Sequence, residues 1–272
     1  MSNLTQRILT AIVGISMVLA AVLYGEFTFL LLLLIIVVLG TLEFFRHLEH
    51  DGVRPQVIPG VVLAAAPFIA PALASGLGIA LNLLPIILAL PYVIFIRELW
   101  TKAEKPFTNI GMTLLGAIYL AFPLFLFYLF AFQGNEPGNY HAFNILGYFF
   151  ILWASDTGAY FTGRFLGKHK LFERISPKKT WEGFFGGLAL SLVVAFVVSK
   201  YYHSFETMDW MIIGLIIAVT GALGDLVESL FKRSIQVKDS GSLLPGHGGI
   251  LDRFDGLFIS APFVFVYVLL FS

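Results

Sequence analysis

Apolar runs long enough to cross a bilayer recur along this chain with little between them. A helix needs about 20 mostly apolar residues to span about 30 Å of hydrocarbon. Nine such runs can be laid along the 272 residues, at roughly 7–24, 28–47, 57–74, 77–96, 107–132, 142–165, 181–200, 208–231 and 250–271. Hydrocarbon offers no partner to backbone N–H and C=O groups, so segments of this length are read as helices. The expected fold class is an all-α polytopic membrane protein with about nine transmembrane helices. Pro67, Pro71, Pro85 and Pro91 interrupt the third and fourth runs, where a broken or re-entrant pair is the alternative. The first run is long for the apolar part of a signal peptide and is followed at once by another, so it is read as an uncleaved span.

Charge placement tests the count independently. Nine crossings put the N-terminus and the loops after the even-numbered runs on one side, and that side holds 16 of the 17 Lys and Arg residues, leaving only Lys200 opposite. The positive-inside rule makes it the cytoplasmic side, facing inward from the inner membrane if the source is bacterial. Formal net charge is zero, so no global field favours nucleic acid, and none is expected as a partner. The absence of cysteine excludes disulfides, thiolate metal ligands and a cysteine nucleophile. Two regions are expected: residues 1–140 with about five spans, and a catalytic region 141–272 with about four spans and cytoplasmic loops at 164–180 and 232–250.

In a chain with 12% charged residues, the stretch 229–255 gathers Lys232, Arg233, Lys238, Asp239, His247, Asp252, Arg253 and Asp255 around a Pro-Gly-His-Gly-Gly turn. A helix starting near Ile250 puts Asp252 and Asp255 on one face. Two carboxylates that close need a cation or a proton between them, and a hard divalent cation such as magnesium takes oxygen ligands of this kind. The nearby cations suit phosphate oxygens, while Gly246, Gly248 and Gly249 leave the backbone open to a bulky anion. Together these point to a polyphosphate. His247 is either a base or phosphate donor, or a structural residue of the turn.

Asp156, Asp225 and Glu228 lie inside runs. Asp156 precedes Arg164 by eight residues and Asp225 precedes Lys232 by seven, depths of about 12 and about 10 Å at about 1.5 Å per residue. Glu228 follows Asp225 by three and can pair with Lys232. A carboxylate at such depth costs about 2.5–3.5 kcal/mol on insertion scales and normally faces a bundle interior or a water-filled cavity, so a polar cavity open to the cytoplasmic side is expected. The basic loop after the sixth run continues into Ser176, Pro177, Lys178, Lys179 and Thr180. Thr180 precedes a helix start, a ready anion site, and these residues either contact phosphate or serve as topology signals. The segment Gly163–His169 is one residue short of a P-loop and lacks its hydroxyl residue. Nucleophile-elbow and zincin motifs are absent.

These residues resemble the CDP-diacylglycerol synthases, or phosphatidate cytidylyltransferases. The resemblance rests on Ser229, Lys232, Arg233, Lys238, Asp239, Pro245 to Gly249, Asp252, Arg253 and Asp255, with Ser155 to Tyr160 and Ile175 to Gly183 also typical. It covers the second half of the chain, the first five spans matching only in hydropathy. It implies that CTP and phosphatidate give CDP-diacylglycerol and diphosphate with magnesium, a second metal or monovalent ion being left open, in a homodimer embedded in the bilayer. On that basis Asp225, Asp252 and Asp255 are expected to hold metal, and Asp156 to complete or support the pocket. Lys232, Arg233 and Lys238 would receive phosphate oxygens, with Arg253, Lys178 and Lys179 as further contacts. Asp239 and His247 join the catalytic group, and Ser176, Thr180 and the turn glycines the substrate-binding one. The substrate's own phosphate is the nucleophile, so catalysis reduces to positioning and charge neutralisation. The alternatives are a CTP-dependent lipid kinase, a CDP-archaeol synthase and, from another class, an ion-coupled transporter.

Overall fold

The computed structural model describes residues 3–50, 52–237 and 248–272. Among them it forms nine helices and one hairpin: α1 (Asn3–Tyr24), α2 (Glu26–His50), α3 (Val57–Leu77), α4 (Leu84–Glu98), α5 (Pro106–Phe130), α6 (Ala142–Leu166), β1 (Lys170–Phe172), β2 (Ser176–Thr180), α7 (Trp181–Tyr201), α8 (Thr207–Ser234) and α9 (Leu251–Phe271). The helices follow the apolar runs closely, except that α4 starts at Leu84 rather than near residue 77. Gly78, in left-handed conformation at φ +67°, ends α3 by donating to the carbonyl of Ala74, as glycine at a helix C-terminus does without steric cost. Among the described residues, six helices are long and apolar enough to cross a membrane: α2, α3, α5, α7, α8 and α9. This is the composition of a multi-pass membrane protein. A short hairpin accompanies the helices: β1 and β2 pair antiparallel, Lys170 opposite Thr180 and Phe172 opposite Ser176.

The chain divides into two compact units. One gathers α1 to α4, α5 as far as Phe125, and the residues from Ile235 to Arg253; the other holds the rest of α5, α6, the hairpin, α7, α8 and α9 from Phe254 on. In the first unit Phe29, Phe45 and Phe68 are fully buried, and the ring of Phe45 fills the space a side chain at Gly60 or Gly116 would need. A buried polar network pins three helix ends in this unit. The Gln56 amide donates to the Glu98 carboxylate at 2.5 Å and to the Ile94 carbonyl at 2.9 Å, and Asn109 donates to the same carboxylate at 3.0 Å. The Gln56 N–H in turn donates to Thr113 at 2.9 Å. Buried polar groups in an apolar surround persist when they are mutually satisfied in this way.

The second unit is built on close helix approach. A Cβ at Gly187 would lie 2.7 Å from the Ser155 carbonyl oxygen, one at Gly158 2.7 Å from that of Gly186, and one at Gly183 2.9 Å from that of Ala159. Without a hydrophobic driving force between helices in lipid, small residues bring backbones into van der Waals contact, and Gly183 and Gly187 stand at the four-residue spacing that does this. Trp210 is fully buried, its indole N–H satisfied by the Tyr202 carbonyl at 3.0 Å.

Candidate active site

The hairpin is tied to the start of α7 by side chains that the sequence places in fixed order. The Thr180 hydroxyl caps α7 by accepting the Gly183 N–H at 3.2 Å. Glu182, the second residue of α7, reaches back to the N–H groups of Lys168 and His169 at 3.1 and 3.2 Å and to His169 Nδ1 at 2.6 Å. A carboxylate in the first turn of a helix is stabilised by the N-terminal dipole, so both ends of the loop are anchored at one point. One of the donors expected to bind phosphate at this helix start is thus already taken by the chain itself.

Anchoring the hairpin delivers Lys179 to α8, where its ammonium group pairs with Asp225. Asp225 also shares a hydrogen bond with Asp255 of α9. The reason is local. A Cβ at Gly224 would run into the Asp255 carbonyl oxygen and stand 3.0 Å from the Gly256 Cα. The glycines beside each aspartate therefore let α8 and α9 touch backbone to backbone, and the two carboxylates follow. Ser260 strengthens this part of α9, accepting from the buried Tyr148 hydroxyl and donating to the Gly256 carbonyl at 2.6 Å. Glu228, buried, pairs with Lys232 at 2.5 Å. Asp156 on α6 lies within electrostatic reach of Asp225 and Lys179, and Glu228 and Lys232 act on Asp255 and Asp225 respectively.

The second unit thus brings together Asp156, Lys179, Asp225, Glu228, Lys232 and Asp255, four carboxylates against two ammonium groups. Two carboxylates in hydrogen-bond contact hold a proton or a cation between them, so the cluster has the donors and the excess charge for a hard cation. Among the described residues no three His, Cys, Asp or Glu side chains stand close enough to bind a metal by themselves.

The remaining predicted residues have different surroundings. Asp252, in the first turn of α9, accepts the Gly249 N–H at 3.2 Å, and Gly248 adopts φ +84° against its carboxylate. Lys178, Arg233 and Arg253 are exposed and Ser176 is half-buried in β2. Lys238, Asp239, Gly246 and His247 lie outside the described residues. Sequence reading missed Glu43. It is 6% exposed, sits near the end of α2, and accepts the N–H groups of Ile250 and Leu251 at 2.8 and 3.3 Å. The signal was there, since Glu43 is an acid within an apolar run, as Asp156 and Asp225 are.

A helical multi-pass protein with an acid and lysine cluster where its helices touch has the makings of a membrane-embedded functional site. Comparison with known sequences makes this specific. The cytidylyltransferase family profile matches residues 5–271, and the chain belongs to that family. It is 34% identical to the phosphatidate cytidylyltransferase of Bacillus subtilis over the full length of both. It is 35% identical to the enzyme of that name from Staphylococcus haemolyticus and 36% to that from Staphylococcus saprophyticus, in each case over 94% of this chain and 95% of the other. The relationship therefore reaches through the first half of the chain as well.

Proposed function

We propose that this protein is a phosphatidate cytidylyltransferase, which converts CTP and phosphatidate to CDP-diacylglycerol and diphosphate in phospholipid synthesis. The observation that carries the reading is the Lys179, Asp225 and Asp255 constellation in a chain related to enzymes of that name along its whole length. A phosphate oxygen of phosphatidate attacks the CTP α-phosphorus, the bond from that phosphorus to the oxygen bridging the β-phosphate breaks, and diphosphate leaves. No covalent enzyme intermediate is needed, so the chain has to orient two anions and offset their charge.

Asp225 and Asp255 would hold Mg2+, and the ion would supply charge neutralisation for the triphosphate. Lys179 pairs with Asp225 and holds its carboxylate in place. Lys232 and Arg233, at the end of α8, would receive phosphate oxygens, with Lys178 and Arg253 as further contacts. The basic side of the chain, with this cluster and the N-terminus, faces the cytoplasm, where CTP is made available, and α1, α4 and α6 complete nine crossings. A second copy of the chain is the expected partner, which light scattering in detergent decides.

The test is transfer of label from CTP into lipid by the purified protein with phosphatidate and magnesium. Label at the α-phosphate should enter lipid and be lost on chelation. Entry of γ-label instead would replace this reading with a lipid kinase, and absence of both from folded protein would overturn it.

A further inference from the structure

We propose that Glu43 of α2 is a positioning residue for cytidylyl transfer, holding the start of α9 at a fixed height so that the aspartates of its first turns project correctly. The first N–H groups of a helix have no partner within it, and at α9 two of them, from Ile250 and Leu251, are taken by the two oxygens of one carboxylate that arrives from 207 residues away in the chain. The acid is buried, and a negative charge at a helix N-terminus is stabilised by the aligned peptide dipoles. Gly249 completes the fit: a side chain there would occupy the position of the Glu43 carboxylate. The glycine that closes the Pro-Gly-His-Gly-Gly turn is therefore required by a residue in another helix as well as by the openness of the turn.

The consequence falls on Asp252, the second residue of α9, which reaches back to the Gly249 N–H at 3.2 Å, and on Asp255 one turn further along the same helix. Glu43 touches no reacting atom in this scheme. It fixes the register and height from which the two aspartates are presented, and a shift of about 1 Å in such groups is enough to cost about 10²-fold in rate.

The inference rests on the cytidylyltransferase reading, and the wild-type protein in the same assay tests that reading by itself. The decisive variant is Glu43→Gln, which keeps the size and one carbonyl acceptor but turns the other oxygen into a donor facing an N–H. Purified full-length protein should lose at least 30-fold in kcat with less than a threefold change in KM for CTP. Hydrogen exchange should accelerate at least tenfold at Ile250 and Leu251 and stay unchanged in α7 and α8. Glu43→Ala should speed exchange at the same two amides further. Wild-type kcat in Glu43→Gln would overturn the proposal, and so would a loss of kcat accompanied by faster exchange throughout the chain, since that is a loss of structure rather than of position.

Discussion

Lys178 and Lys179 are adjacent in sequence and opposite in surroundings. Successive side chains of a strand point to opposite faces, and in β2 this leaves Lys178 exposed while Lys179 turns inward to Asp225. Lys179→Ala should lower kcat by about 10²–10³-fold, the usual effect of removing one preorganised charge from a phosphoryl or acyl transfer site. Lys178→Ala should raise KM for CTP or phosphatidate several-fold and leave kcat within threefold, which steady-state kinetics with purified variants separates. The sequence marked both lysines equally because the strand itself was not foreseen, and without it their faces cannot be assigned. Asp156 and Asp225 were legible for a different reason. An acid in an apolar run is expensive, and that cost is visible without coordinates. Glu43 carried the same signal, but its partners are backbone groups at the other end of the chain, and no pattern along the sequence predicts such a pairing.

Glycine sets where the helices of the second unit can meet, and two substitutions separate packing from placement. Gly187→Leu would drive a side chain into the Ser155 backbone of α6. Overpacking of this kind costs about 1–3 kcal/mol or more, so the thermal unfolding midpoint in detergent should fall by several degrees, and activity should fall with it. Gly224→Ala adds one methyl at the contact with Asp255 and Gly256. It should cut kcat at least tenfold with a smaller change in midpoint, because it parts Asp225 from Asp255 while the rest of α8 keeps its neighbours. Equal loss of stability in both variants would mean that the α8 contact serves packing alone. The apolar runs gave eight of nine helix positions to within a few residues, since burial in lipid dictates length. They did not give α4, whose start depends on the left-handed turn at Gly78 and the coil that follows rather than on hydropathy. Nor did they give the hairpin, which is held by Glu182 and Thr180 and not by apolar burial.

Topology is a property of the whole chain, and α4 is where it is most exposed to test. At 15 residues it covers about 22 Å at about 1.5 Å per residue, short of the roughly 30 Å of a hydrocarbon core. The preceding α3 has 21 residues, enough to carry the chain across despite Pro67 and Pro71. If Lys102 and Lys105 lie on the basic side, as the positive-inside rule predicts, the chain returns between Gly78 and Lys102, and α4 is the only described helix in that interval. A short helix crosses by local thinning of the bilayer, at a cost of fractions of a kcal/mol per Å of mismatch. Because the chain contains no cysteine, single reporters can be introduced one at a time at exposed positions: Ala80→Cys between α3 and α4, Asn139→Cys between α5 and α6, and Lys170→Cys in the hairpin. In intact spheroplasts a membrane-impermeant maleimide should label positions 80 and 139, and should reach 170 only after permeabilisation. If position 80 instead behaves like position 170, α3 and α4 form a re-entrant pair and the expected nine crossings become seven. Labelling of 170 in intact spheroplasts would reverse the assignment of the basic side, and would place the Lys179 and Asp225 cluster away from any supply of CTP.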